Sequence, residues 1–350
     1  MDVVNDSGIN FIIYLQNSCA DWQKEMLFLS KVGDPRNSFL IYFPVAFHLN
    51  HKLGVSVLWT AVLSEWLNLI MKWILRGDRP YWWVHESEQW RNVTLQQFEL
   101  TCETGPGSPS GHAMVTSAVL CILALHVMSS LKETILLQTH LLLRYFTTMT
   151  VWSLFLTVVS LVSVSRIFLA THFPHQVVQG TVIGVILAFF VRKNISKLLK
   201  VAYSFSYCAA FSLALVAITL VSHVILSFLV YDPSISVMKA KKWCIKASYI
   251  HLDTTPFYAL VRDSGATLGL GIAFTVIRLI LKTRENNWRG FQTTLLTGSL
   301  KIPLSLFVLQ LLEVISLPKS HPTLFYSAGF IRYSLISVVV ILIVPSIVLL

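Results

Sequence analysis

Nine apolar runs divide this chain, near residues 26–48, 54–75, 113–130, 145–164, 173–191, 205–230, 256–281, 293–315 and 324–348. A run of about 20 apolar residues is the length at which an α-helix crosses the hydrocarbon core of a bilayer. Lipid offers no water to backbone N–H and C=O groups, so each run must satisfy them within itself, as helix. The expectation is an all-α polytopic membrane protein with about nine transmembrane helices. The 26–48 run is the least regular, because Lys31, Asp34, Pro35 and Arg36 interrupt it. Composition agrees: only 13% of the residues are charged, where soluble domains carry about a quarter.

The connections are mostly short and no internal repeat stands out, so residues 1–350 read as a single integral-membrane domain. The net charge of +10 is spread in short basic clusters between apolar runs. That pattern fits snorkelling side chains and topology signals rather than a nucleic-acid partner. Cys19, Cys102, Cys121, Cys208 and Cys244 contain no CxxC pair, so neither a zinc site nor a disulfide framework is signalled. The start, MDVVNDSGIN, is too acidic and polar for a cleavable signal peptide, and the first span is expected to direct insertion.

Tracing the chain through the spans puts the two long polar connections, 76–112 and 231–255, on one face with the short connection 165–172. Lys and Arg counts do not decide which face this is. The N-glycosylation sequons at Asn5 and Asn92 lie on it, and a third at Asn194 lies on the other. The face is read as lumenal, with Asn92 a glycosylation site.

Three segments on that face place ionisable groups at span ends, where they are costly and usually functional. In the first, residues 72–80, Lys72 and Arg79 are seven residues apart. They would share a helix face at ~10 Å if the helix continued, although Pro80 disfavours helix at Arg79. The second, 109–112, is Pro-Ser-Gly-His and closes the stretch GPGSPSGH. The third, 165–176, contains Arg166, His172, His175 and Gln176. Individually these have plain readings: Lys72 snorkels, Arg79 anchors at headgroups, the histidines are interfacial, and Trp82 and Trp83 belong to an aromatic belt. The HxxH of His172 and His175 lacks an acidic or cysteine partner and is a weak zinc signal. Together they make an anion site with chemistry available. Arginine forks and a lysine suit phosphate, a Ser-Gly turn before a helix aims N–H groups at it, and histidines supply a nucleophile and a proton carrier.

The pattern Kx6RP, PSGH and SRx5H resembles the signature of the type 2 phosphatidic acid phosphatase superfamily, and predicts its helical core. More narrowly, EWLNLIMKWILRGDRPYWWVHES (65–87), CETGPGSPSGH (102–112), SRIFLATHFPHQVV (165–178) and HLDTTPF (251–257) resemble the glucose-6-phosphatase catalytic subunits. GDRPYWWVHES and RDSGATLGLGI look most like that family's ubiquitous beta branch. The resemblance implies hydrolysis of glucose 6-phosphate, or of a close analogue such as 1,5-anhydroglucitol 6-phosphate, through a phosphohistidine, with no metal or other cofactor. It implies His172 as nucleophile, His112 as general acid and base, and Lys72, Arg79, Arg166, Ser110 and the Gly111 amide as phosphate ligands. It further implies residence in the endoplasmic reticulum membrane, a lumenal active site and coupling to a glucose 6-phosphate transporter. The end, IVPSIVLL, carries no dilysine-type retrieval signal, so that residence rests on the resemblance.

Where the wider superfamily has an aspartate four residues after the nucleophilic histidine, this chain has Gln176. The orienting partner of His172 is then expected to be a backbone carbonyl or a carboxylate such as Asp34 or Asp253. Asp253-Thr254-Thr255 reads either as a sugar-hydroxyl contact or as the cap of the following span. Two other functions share parts of this residue set. A lipid phosphate phosphatase would use every catalytic residue, and a sugar phosphate transporter would use the cations but not the histidines.

Overall fold

The computed structural model describes residues 2–132, 140–229, 232–283, 295–318 and 321–348, and among them the regular structure is helical. In chain order the helices are α1 (Asp2–Ser18), α2 (Gln23–Val32), α3 (Phe43–Leu49), α4 (His51–Leu75), α5 (Pro80–Glu86), α6 (Gly111–Lys132) and α7 (Leu141–Phe168). They continue as α8 (Pro174–Ala202), α9 (Phe205–Leu229), α10 (Ile235–Trp243), α11 (Pro256–Thr283), α12 (Leu295–Val314), α13 (Pro322–Val338) and α14 (Val344–Val348). Among the described residues, seven helical stretches are long and apolar enough to cross a membrane. The expected span at 293–315 corresponds to the 20-residue α12, with its first two positions outside the described residues.

The expected span at 26–48 is not one helix. It breaks after Val32, and helical structure resumes at Asn37. Asp34 is polar and Pro35 supplies no N–H, so the ladder cannot run through them.

The chain divides into two compact units, one made of Met1–Pro35, Leu67–Ala188 and Ser222–Pro256, the other of Arg36–Trp66, Phe189–Val221 and Phe257–Leu350. All three motif segments belong to the first. In this unit α1, an amphipathic helix that does not register as a span, inserts Ile9, Ile12 and Leu15 into a buried cluster. Trp82 and Trp83 lie in the same cluster, only 1% and 8% exposed. The aromatic-belt reading of these tryptophans is therefore wrong. Trp82 Nε1 donates to Asp78 Oδ1 at 2.8 Å, and Trp83 meets the Phe173 ring edge-on at 5.8 Å. An indole is buried cheaply when its one N–H finds an acceptor.

The two long connections meet in this unit. Lys239 of α10 pairs with Asp78 at 2.9 Å and Glu86 at 2.7 Å, and Gln97 Nε2 donates to the Trp243 carbonyl at 2.9 Å. A disulfide joins Cys102 to Cys244, correcting the expectation that the cysteines signal no such bond. The partners are 142 residues apart, so no local spacing announces them.

In the second unit α11 and α13 touch backbone to backbone. A Cβ on Gly265 would lie 2.4 Å from the Phe330 carbonyl, and one on Gly269 would lie 2.2 Å from that of Ser334. Small residues four apart allow this approach, the usual way helices associate in lipid. Arg262 and Glu65 form a buried pair at 2.7 Å in the same unit.

Candidate active site

Helix α4 ends at Leu75, leaving Lys72 in its last turn. The chain leaves the helix through Arg76, whose φ of 51° is in the left-handed region. Arg79 is extended, with φ −105° and ψ 148°, and Pro80 opens α5. Proline disfavours helix at the preceding residue and suits the first position of the next one. The two-turn helical separation of Lys72 and Arg79 is thus not realised. Their heads converge through a loop instead: Lys72 Nζ and Arg79 Nη2 both donate to the Pro106 carbonyl, at 3.0 and 3.1 Å.

Arg79 organises that loop. It is fully buried, and it also donates from Nε to the Gly105 carbonyl at 2.6 Å and from Nη1 to the Thr171 carbonyl at 3.1 Å. The loop is clamped elsewhere by Asn68 Nδ2 on the Pro109 carbonyl, by the Gly107 amide on the Gly77 carbonyl and by the Ser110 amide on the Gln176 carbonyl. At Gly107 only glycine fits, since a Cβ there would lie 2.5 Å from the Asp78 carbonyl oxygen and 2.7 Å from Gln176 Oε1. Helix α6 then starts at Gly111. The Gly111 and His112 amides are among its first N–H groups, which have no acceptor inside the helix.

Arg166 and His172 are brought together by how α7 ends. The Ala170 amide bonds the Ile167 carbonyl at 2.9 Å, and the Thr171 amide bonds the Arg166 carbonyl at 3.2 Å. Ala170 has a φ of 52°. This is a Schellman closure with alanine in the position usually taken by glycine. It turns the chain back within three residues and returns His172 to the level of Arg166.

The His172 ring is buried, and its Nδ1 lies 2.8 Å from the Gly107 carbonyl oxygen. A carbonyl only accepts, so Nδ1 carries the proton and Nε2 keeps its lone pair. Nε2 points to Arg79 Nη1 at 3.4 Å. Burial, and then the positive charges of Arg79, Arg166 and Lys72, hold His172 well below the usual imidazole value, which keeps it neutral. Arg166 is buried, with Nη1 donating to Ser30 at 2.6 Å, and its Nε–H has no acceptor among the described residues. A buried donor of this kind costs free energy unless a ligand meets it.

Sequence reasoning did not single out the carboxylate at the centre of this set. Glu103 bonds Arg166 Nη2 through Oε1 and Arg79 Nη1 through Oε2, the latter at 3.0 Å. The same oxygens lie 3.6 Å from His112 Nδ1 and 3.8 Å from His172 Nε2. Burial would raise its pKa, but the two arginines outweigh it and hold Glu103 well below the usual carboxylate range. It is the only carboxylate in CETGPGSPSGH, the one sequence cue to its role. Ser30 lies outside the motif segments, and Asn68, although within the 65–87 stretch, has no feature of spacing that sets it apart.

Lys72, Arg79, Ser110, Gly111, His112, Arg166 and His172 thus all lie in one unit, with Lys72, Arg79, His112, Arg166 and His172 gathered around the 103–112 loop. The orienting group of His172 is a backbone carbonyl, not Asp34 or Asp253. Gln176 packs against Gly107 and ties the neighbouring backbone: its Nε2 donates to the Asp78 carbonyl at 2.7 Å and its Oε1 accepts from the Phe173 amide at 3.1 Å. His175 stacks on Phe173 at 5.7 Å. Thr254 Oγ1 donates to the His251 carbonyl at 2.7 Å and so ties its own turn. Asn92 is exposed, whereas Asn5 is buried. Chemically the site offers two guanidiniums, an ammonium and helix-start amides for a tetrahedral oxyanion, beside a neutral imidazole with a free lone pair.

Comparison with known proteins gives a consistent picture. The PAP2 superfamily pattern matches residues 53–200. The chain is 38% identical over 350 residues to glucose-6-phosphatase 2 of Homo sapiens, covering 99% of this chain and 96% of the relative. It is 36% identical over 352 residues to human glucose-6-phosphatase 3, covering 99% and 95%. It is 34% identical over 351 residues to glucose-6-phosphatase catalytic subunit 1 of Canis lupus familiaris, covering 99% and 95%. No solved structure matches.

Proposed function

The chain belongs to the glucose-6-phosphatase family and is a phosphoric monoester hydrolase, and from that premise we propose that it hydrolyses glucose 6-phosphate through a phosphohistidine on His172, at the lumenal face of the endoplasmic reticulum membrane. The observation that carries this reading is the bond from His172 Nδ1 to the Gly107 carbonyl, because it turns the Nε2 lone pair towards the arginines.

In the first step Nε2 attacks phosphorus and the bond from phosphorus to the sugar oxygen breaks. His112 gives that oxygen its proton, so glucose leaves uncharged. In the second step His112 takes a proton from water, the water oxygen attacks phosphorus, and the P–N bond breaks to release inorganic phosphate and restore His172. Arg79, Arg166 and Lys72, with the Ser110 hydroxyl and the Gly111 amide, neutralise phosphoryl oxygens as charge shifts among them.

Two observations support the sidedness. The Cys102–Cys244 disulfide ties the active-site connections to each other, and such bonds persist in oxidising compartments. The exposed Asn92 sequon lies on the same connection and is the proposed glycan site. A charged sugar phosphate does not cross lipid unaided, so a lumenal site works with a glucose 6-phosphate transporter.

The test is a substrate panel on sealed membrane vesicles, intact and then permeabilised. Glucose 6-phosphate, 1,5-anhydroglucitol 6-phosphate and phosphatidic acid form the panel. Release of phosphate from glucose 6-phosphate that rises on permeabilisation is the expected result. Preference for phosphatidic acid would overturn the sugar assignment, and full activity in intact cytosol-side-out vesicles lacking a transporter would overturn the sidedness.

A further inference from the structure

The Glu103 carboxylate lies where a phosphoryl group has to go. One oxygen bonds Arg79, the other bonds Arg166, and the two are 3.8 Å from His172 Nε2 and 3.6 Å from His112 Nδ1. A phosphorus atom in attack position must come within about 3.5 Å of His172 Nε2. Its oxygens need the same guanidinium forks that Glu103 holds. Two anions do not share such a place, because their repulsion inside a buried site is poorly screened.

We propose that Glu103 is a resident competitor of the phosphoryl group: its carboxylate holds Arg79 and Arg166, is displaced by substrate, and returns to expel inorganic phosphate. The inference rests on the phosphatase reading above and adds a release device to it. Two buried guanidiniums and a half-buried ammonium without an anion would make the site a trap for phosphate, the product as well as the substrate. A tethered carboxylate offsets part of that attraction without competing for long, since it is one residue of fixed reach.

The backbone around Glu103 is built to stay put while the side chain moves. The Tyr81 hydroxyl donates to the Glu103 carbonyl at 3.0 Å, the Glu103 amide bonds the Thr101 carbonyl at 2.9 Å, and the neighbouring Cys102 is locked in the disulfide. Displacement therefore requires only rotation of the side chain. Gly105 and Pro106, whose carbonyls hold Arg79, keep the guanidinium in place when the carboxylate leaves.

The experiment uses tungstate, a tetrahedral oxyanion that is dianionic near neutral pH, on the purified full-length chain. Binding is read twice, as inhibition of glucose 6-phosphate hydrolysis and as a tungstate-dependent thermal shift. A binding-competent fraction of about one tenth reduces apparent affinity about tenfold, so Glu103→Gln is expected to bind tungstate about tenfold more tightly and to be more strongly inhibited by inorganic phosphate. Glu103→Asp, whose shorter side chain does not span both arginines, is expected to fall between, and it decides the matter if Glu103→Gln does not fold. A variant that binds tungstate no more tightly than the wild type overturns the proposal and makes Glu103 a structural partner of the arginines. Failure of the phosphatase reading shows separately, as wild-type protein that binds tungstate but releases no phosphate from glucose 6-phosphate.

Discussion

His172 donates its Nδ1 proton to the carbonyl oxygen of Gly107 at 2.8 Å. A main-chain oxygen thereby does what a carboxylate four residues downstream would do, and its position depends on glycine packing against Asp78 and Gln176. Gly107→Ala introduces a Cβ at 2.5 Å from the Asp78 carbonyl oxygen and must shift the loop. A displacement of about 1 Å at a reacting group costs about a hundredfold, so kcat is expected to fall by that order, with protein still present in the membrane. Steady-state kinetics against expression level check this.

His172→Ala is expected to abolish turnover and the covalent phosphoenzyme together, whereas His112→Ala should slow turnover by about 10² to 10⁴. Rapid quenching with labelled glucose 6-phosphate reads both. Near-normal rates in His172→Ala would remove the nucleophile assignment.

The Schellman turn at Ala170 makes a discriminating pair. Glycine accepts the φ of 52° without penalty, so Ala170→Gly should preserve activity and raise stability by up to about 1 kcal/mol. Ala170→Val adds a branched side chain at a position with no exposure and should inactivate. Thermal melts and activity of the two variants test whether this turn sets the register between Arg166 and His172.

Breaking the Cys102–Cys244 bond frees a 142-residue loop in the unfolded chain. The chain-entropy argument bounds the loss at about 5 kcal/mol. Cys102→Ser and Cys244→Ser should each lower the melting temperature, and reductant should do the same to the wild type alone.

Acidification should act through His172 and Glu103 in the same direction. The folded-state value of His172 is depressed below its ordinary 6.5, so the unfolded chain takes up that proton first and stability declines once pH falls below that point. Glu103 is depressed below 4.5; its contribution is complete above that value and is lost as pH drops through its folded value. Because His172 stays neutral in the fold, its own limb of the kcat/KM profile should lie below pH 6.5. Melting curves and kcat/KM as functions of pH separate the two effects.

The helical membrane architecture was legible because long apolar runs have one solution in lipid, and the residues of the candidate site were legible because Lys72, Arg79, Arg166 and the two histidines stand in motif order with fixed spacing. Continuity was less readable. Residues 26–48 have the composition of a span, yet Asp34 and Pro35 end the helix, and hydropathy averages over such breaks. The amphipathic α1 was invisible for the opposite reason, since its apolar face only acquires meaning against Trp82, Phe173 and their neighbours.

By itself, then, the chain's order of residues determined that it spans a membrane by helices and sets Lys72, Arg79, Arg166 and two histidines at span ends. Only the tertiary structure decided that Gly107 orients His172, that Cys102 joins Cys244, and that Glu103 stands between Arg79 and Arg166. Each of these three is a contact across sequence distances of 24 to 142 residues. Local propensity and spacing contain no term for such contacts, which exist only once helix packing and loop closure have brought the partners within bonding distance.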